Sequence, residues 1–86
     1  MMTKEMIREL IASRIDCTEL DVRGDDGAHF EATIVAPAFV GKSSVARHQL
    51  VYAALGEHMR EAIHALSFKT LTPEERADAV KRGARG

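Results

Sequence analysis

The sequence predicts an α+β fold, with helices and a small sheet in the order αββααβα. Three observations carry that expectation. Apolar residues recur at helical spacing near the N-terminus and again after residue 43. Two stretches of strict alternation flank an Asp-Gly turn, the pattern of a hairpin. Further on, Thr72-Pro73-Glu74-Glu75 is a helix start that follows a third short alternating run.

Taken in order, "TKEMIRELIASRI" places Met6, Ile7, Leu10, Ile11 and Ile15 on one helical face, with Thr3 as its N-cap. In "ELDVRG", Leu20 and Val22 alternate with Asp21 and Arg23, which makes a strand with one buried face. The turn "GDDG" leads into "HFEATIVA", where Phe30, Ala32, Ile34 and Ala36 share the core side. His29, Glu31, Thr33 and Val35 take the other, and Pro37 ends the ladder.

"AFVGKS" then turns into "SVARHQLVYAAL", a helix capped by Ser43 or Ser44. Gly56 breaks it, leaving a short third helix around 57–62. "HALSFKT" supplies the third strand through Leu66 and Phe68. The last helix is capped by Thr72, boxed by Glu75 and stopped by Gly83.

Composition bounds what such a chain does. Its 86 residues make one domain, 1–86, with 83–86 as a frayed tail. A domain of that size buries only roughly 60–65% of its unfolded surface, so it has little room for a deep catalytic cavity. The net charge of −1 provides no global basic field for nucleic acid or anionic lipid. One cysteine, Cys17, excludes an internal disulfide and a cysteine-only metal centre, and suits a reducing compartment. No apolar run reaches the ~18 residues of a membrane span, so a cytoplasmic protein with no membrane contact is expected.

Histidines 29, 48, 58 and 64 are the main functional raw material. No convergent acid, base and nucleophile set accompanies them, and an enzyme is not expected. His48 falls among Val45, Val51, Tyr52 and Leu55 on its helix, which favours a structural role as a buried, hydrogen-bonded imidazole. Arg47, one position earlier, is expected to be exposed. His64 opens the third strand, where a ligand position and a core position are both open. His29 follows the hairpin turn, open as surface or ligand, and His58 reads as a solvated helix residue. Lys42, Arg47, Gln49 and Lys69 could meet a nucleic-acid groove, although aromatic residues for base stacking are few.

The segments "FVGKS", "ARHQLVYAAL" and "IHALSFKTLTPEE", in this order and spacing, resemble the BolA family over about residues 5–75, the short bacterial members more than the longer founder type. The resemblance implies a class II KH-like αββααβ(α) domain, with a three-stranded mixed sheet and the helices packed on one face. It also implies a monothiol glutaredoxin partner with which a glutathione-ligated [2Fe–2S] cluster is shared, in iron–sulfur assembly or iron and stress signalling. Alone, the chain would hold no cofactor and be a monomer or weak homodimer. DNA binding and transcriptional regulation are the family's other implied activity.

In the cluster reading, His64 of "IHALS" takes the family's constant ligand position. Asp26 in "GDDGAHFE" stands where cysteine-type members have their thiolate. Carboxylate is a poor match for a soft iron–sulfide centre. His29 is the nearest imidazole, and either serves as second ligand or leaves a His64-only site. The usual Trp after "TPEE" is replaced by Arg76, which bears on how the final helix docks.

Overall fold

The computed structural model describes residues 2–24, 28–60 and 65–83, with the backbone alone at 58 and 59. Its elements are α1 (Lys4–Arg14), β1 (Glu19–Arg23), β2 (Phe30–Val35), α2 (Ser44–Leu55), β3 (Leu66–Leu71) and α3 (Pro73–Lys81). One-turn 3-10 segments follow β2 (Pro37–Phe39) and α2 (Gly56–Met59). His64, Asp26, the turn residues 25–27 and the tail 84–86 lie outside the described residues, as do the side chain of His58 and part of the helix expected around 57–62.

The caps are where the side chains dictate them. The Thr3 hydroxyl accepts from the Met6 amide, and Ser43, rather than Ser44, accepts from Ala46. The expected break comes at Gly56, whose φ of 59° is left-handed territory open to glycine. Before α3, the Thr72 hydroxyl accepts from the Glu75 amide while the Glu75 carboxylate accepts from the Thr72 amide, closing the capping box.

The strands form one sheet in the order β1-β2-β3. β1 and β2 pair antiparallel, Leu20 opposite Ile34; β2 and β3 pair parallel, Phe30 beside Leu66 and Val35 beside Leu71. Parallel partners need a crossover, and α2 with its flanking turns provides it. Ile7, Ile11 and Ile15 from the α1 segment and Val51, Ala54 and Leu55 from α2 form one apolar cluster with Phe30, Ala32, Ile34, Ala36, Phe39 and Leu66. The sheet thus carries α1 and α2 on one face. Burying those side chains is the main source of stability in so small a domain.

Three expectations need correction. Met6 is 44% exposed, because the helical stripe that meets the sheet is narrow and centres on Ile7 and Ile11. Val35 is buried although alternation turns it away from the core; it sits between Glu19 and Leu71 in register, where Arg76 of α3 bridges to Glu19 at 2.7 Å. That bridge ties α3 to the face of the sheet that carries Glu19 and Val35. α3 itself contributes no buried residue.

The third concerns Arg47, which is not exposed: its side chain retains only 14% of its accessible surface. Its guanidinium donates from Nε to the Lys42 carbonyl (3.0 Å), from Nη1 to the Thr70 carbonyl (3.3 Å), and from Nη1 and Nη2 to the Glu75 carboxylate (2.7 and 3.3 Å). One side chain therefore joins the α2 entry turn, the free edge of β3 and the α3 cap. The hydrogen bond from Arg47, followed by that from the Thr72 amide, holds the Glu75 carboxyl below the usual glutamate range.

Arg47→Ala is expected to lower the unfolding free energy by about 1–3 kcal/mol, with Arg47→Lys restoring only part because an ammonium lacks the planar fork. Urea denaturation at neutral pH measures both. Glu75 is easier to ionise folded than unfolded, so its contribution is full above the ordinary glutamate range and is lost as pH falls through the lowered value. The destabilisation caused by Glu75→Gln should accordingly shrink as the pH is taken down through that range; a penalty independent of pH would show that the carboxylate charge is not what Arg47 reads.

Candidate functional site at the open end of the sheet

The two ends of β2 differ in chemistry. At its C-terminal end the Thr18 amide donates to Val35 O (2.8 Å) and the Ala36 amide to Leu71 O (3.0 Å), and the Arg47, Glu75 and Thr72 network lies close by. At its N-terminal end an open cleft of about 510 Å³ is lined by Arg23, Gly24, His29, Phe30, Glu31, Ala65 and Ser67. The Phe30–Leu66 register creates it, bringing the residue before β2, His29, beside the residue before β3, Ala65.

His29 is exposed there. His64, the chain neighbour of Ala65, lies outside the described residues, so the structure is silent on its side chain. Among the described residues, no three His, Cys, Asp or Glu side chains gather as a metal cage. Cys17 belongs to the other end: it precedes Thr18, which pairs with Val35, roughly 17 Å along β2 from Phe30 at ~3.3 Å per residue. Burial, then the charge of Asp16, pushes its thiol up from the usual range, and the Sγ–H donates to Ile15 O at 3.3 Å. It is a protonated thiol remote from the cleft.

His48 is half-buried, and among the described residues it meets a ring rather than the expected hydrogen-bond partner. Its imidazole lies 4.7 Å from the Phe68 ring at 55°, and Tyr52 meets the same ring edge-on at 5.5 Å. Val45 and Tyr52, expected beside it in the interior, are 67% and 43% exposed. The reason is angular. Val51, Ala54 and Leu55 take the centre of the buried stripe, so a histidine one turn from Val45 and Tyr52 falls on its rim.

The four residues considered for a groove do not form one surface. Lys42 and Gln49 are exposed around the start of α2, and Arg47 is engaged as described. Lys69 pairs in register with Thr33 and sits on the face of the sheet turned away from α2. No helix among the described residues is long and apolar enough to cross a membrane.

A family model described as BolA-like protein matches residues 5–75. The chain belongs to the BolA-like family. Protein BOLA2 of Arabidopsis thaliana is 40% identical over 79 residues, covering 87% of this chain and 84% of that protein. The DNA-binding transcriptional regulator BolA of Vibrio cholerae is 42% identical over 53 residues, covering 62% of this chain and 49% of the relative. Other relatives are also longer: the chain spans 23% of SufE-like protein 1 and 33% of BOLA1 of Arabidopsis thaliana, and 58% of BolA-like protein 1 of Bos taurus. The solved structure of a bolA protein homologue from Coxiella burnetii shares the fold with a TM-score of 0.75 and 44% identity, over 90% of this chain and 99% of that one. The α+β architecture expected of a BolA-like domain is therefore the one present.

Replacing His48 with Ala is expected to reduce stability by about 1 kcal/mol through loss of the aromatic contact with Phe68, while His48→Phe keeps most of it. Thermal melts of the two variants make the comparison; equal losses would mean that the imidazole nitrogens, and not the ring, carry the contribution.

Proposed function

We propose that this BolA-like chain is the partner of a monothiol glutaredoxin and completes a glutathione-ligated [2Fe–2S] cluster, in iron–sulfur cluster trafficking or iron and stress signalling. His64 is the main ligand and His29 the second. The observation that supports this most is the β2–β3 register, which sets an exposed imidazole and the chain neighbour of His64 on one open cleft.

The donor chemistry fits a shared site. A [2Fe–2S] group takes four ligands, ordinarily thiolates, with imidazole on one iron a recognised variant. This chain has one thiol, and that thiol is protonated and at the wrong end of the sheet. Its contribution at the cleft is then imidazole, and the thiolates come from the glutaredoxin and glutathione. Bound there, the cluster supplies exchangeable iron and sulfide and a one-electron couple. The protein's own part is to supply imidazole nitrogen, the donor type that one iron of such a group accepts in place of thiolate.

A second reading, sequence-specific DNA binding, is favoured by the name of the Vibrio cholerae relative. Against it stand the net charge of −1, the engagement of Arg47 by Glu75, and Lys69 on the face away from α2. Phosphate contacts dominate affinity for DNA, and this surface gathers few cations for them.

Anaerobic reconstitution with a monothiol glutaredoxin, glutathione, iron and sulfide, followed by visible circular dichroism, tests the proposal. The expected spectrum differs from that of the glutaredoxin alone, is lost in His64→Ala, is weakened in His29→Ala and is unchanged in Cys17→Ser. Absence of any complex would overturn the cluster reading. Tight duplex DNA binding that survives physiological salt would put the second reading first.

A further inference from the structure

The chain leaves no space for a side chain at position 24. A Cβ built on Gly24 would lie 2.5 Å from Phe30 Cδ1, 3.1 Å from Phe30 Cε1 and 2.7 Å from the carbonyl oxygen of His29. Gly24 is not among the glycines with positive φ, so its backbone conformation is open to any residue. What it requires is room. The "GDDG" stretch thus opens with a glycine of steric, not conformational, purpose.

Neither neighbour can give way cheaply. Phe30 is 3% exposed and belongs to the central apolar cluster, where its ring is held by close packing. The other contact is backbone, the peptide that joins His29 to Phe30. To restore an ordinary contact of 3.4 Å, the gap to Phe30 Cδ1 must open by about 0.9 Å and that to His29 O by about 0.7 Å. Both displacements bear on the residue that presents its imidazole to the cleft. Ligand distances in metal sites are held within about 0.2 Å, so a shift of this size at one donor is large.

We propose that Gly24 is a positioning residue for His29: by lacking a side chain it lets the end of β1 close onto the His29–Phe30 peptide and fixes where that imidazole stands relative to β3. The cluster consequence rests on the glutaredoxin reading above; the positioning itself does not. Gly24 borders the cleft but has no side chain with which to ligate, and its effect passes through its neighbour.

The test is a double-mutant cycle with two readouts. In the isolated protein, NMR follows the His29 ring and the Phe30 amide in wild type and Gly24→Ala, with a thermal melt confirming that the variant folds. Both sets of resonances should shift, while those around Thr72 and Glu75, at the opposite end of the sheet, stay in place. In the reconstituted complex, Gly24→Ala should shorten the lifetime of the mixed cluster by about 10-fold, the scale of outer-shell substitutions. It should have no further effect in a His29→Ala background. If Gly24→Ala does not fold, the Gly24→Ala/Phe30→Leu pair, whose aliphatic side chain yields to the added methyl, carries the same measurements. Unmoved His29 and Phe30 resonances, or an equal loss with and without His29, would overturn the proposal. If wild type forms no mixed cluster, the glutaredoxin reading fails, and the NMR comparison still decides whether Gly24 positions the ring.

Discussion

The parallel pairing of β2 with β3 is the contact on which the other features of this domain depend. Parallel strands cannot be joined by a tight turn. The chain must leave β2 at Ala36, cross the core face as α2, and re-enter beside its own earlier strand with Phe30 against Leu66. That excursion lays α2 next to α1 over the sheet and closes the apolar cluster. A slip of one residue would turn Leu66 and Phe68 out of the core and Ser67 and Lys69 into it, at a cost no domain of this size can absorb.

The same register gives the two ends of the sheet different characters. Where β2 and β3 finish, Ala36 and Leu71 are hydrogen bonded, Thr72 begins a helix, and Arg47 gathers the free carbonyl of Thr70 together with Glu75. An edge strand presents unpaired backbone groups, and a guanidinium on one of them blunts that edge. Where the two strands begin, the cleft lined by His29, Phe30 and Ala65 opens. The polar bracing of Arg47, Thr72 and Glu75 lies at one end and the exposed His29 at the other. Arg76 adds to the first by reaching Glu19.

Several of these features were legible in the chain. Thr3, Gly56 and the Thr72–Glu75 box are local devices, encoded in neighbours three or four residues apart, and each does what its chemistry predicts. The alternation of Phe30, Ala32, Ile34 and Ala36 found the core face of the central strand. The "FVGKS" and "IHALS" segments pointed to the BolA-like family, and with it to the fold. Arg47 escaped because its acceptors lie at Thr70 and Glu75, 23 and 28 residues away, and no periodicity announces a partner at that distance. His48 was placed one notch too deep, since a helical wheel ranks positions around a stripe without saying how wide the covering surface is.

What the sequence by itself determined, then, is the set of elements, their caps, the core face of β2 and the supply of histidine and cysteine side chains, because each follows from short-range spacing and side-chain chemistry. Tertiary structure alone decided how side chains distant in sequence are distributed over the fold. It separated Cys17 from His29 by the length of β2, removed Lys69 from the side of α2, and committed Arg47 to a carboxylate. It also gave Gly24 its meaning, for a missing Cβ matters only once a core ring and a backbone carbonyl have been packed within 3 Å of where it would be. Proximity between residues distant in sequence is set by strand register and close packing, and these exist only when the whole chain has folded.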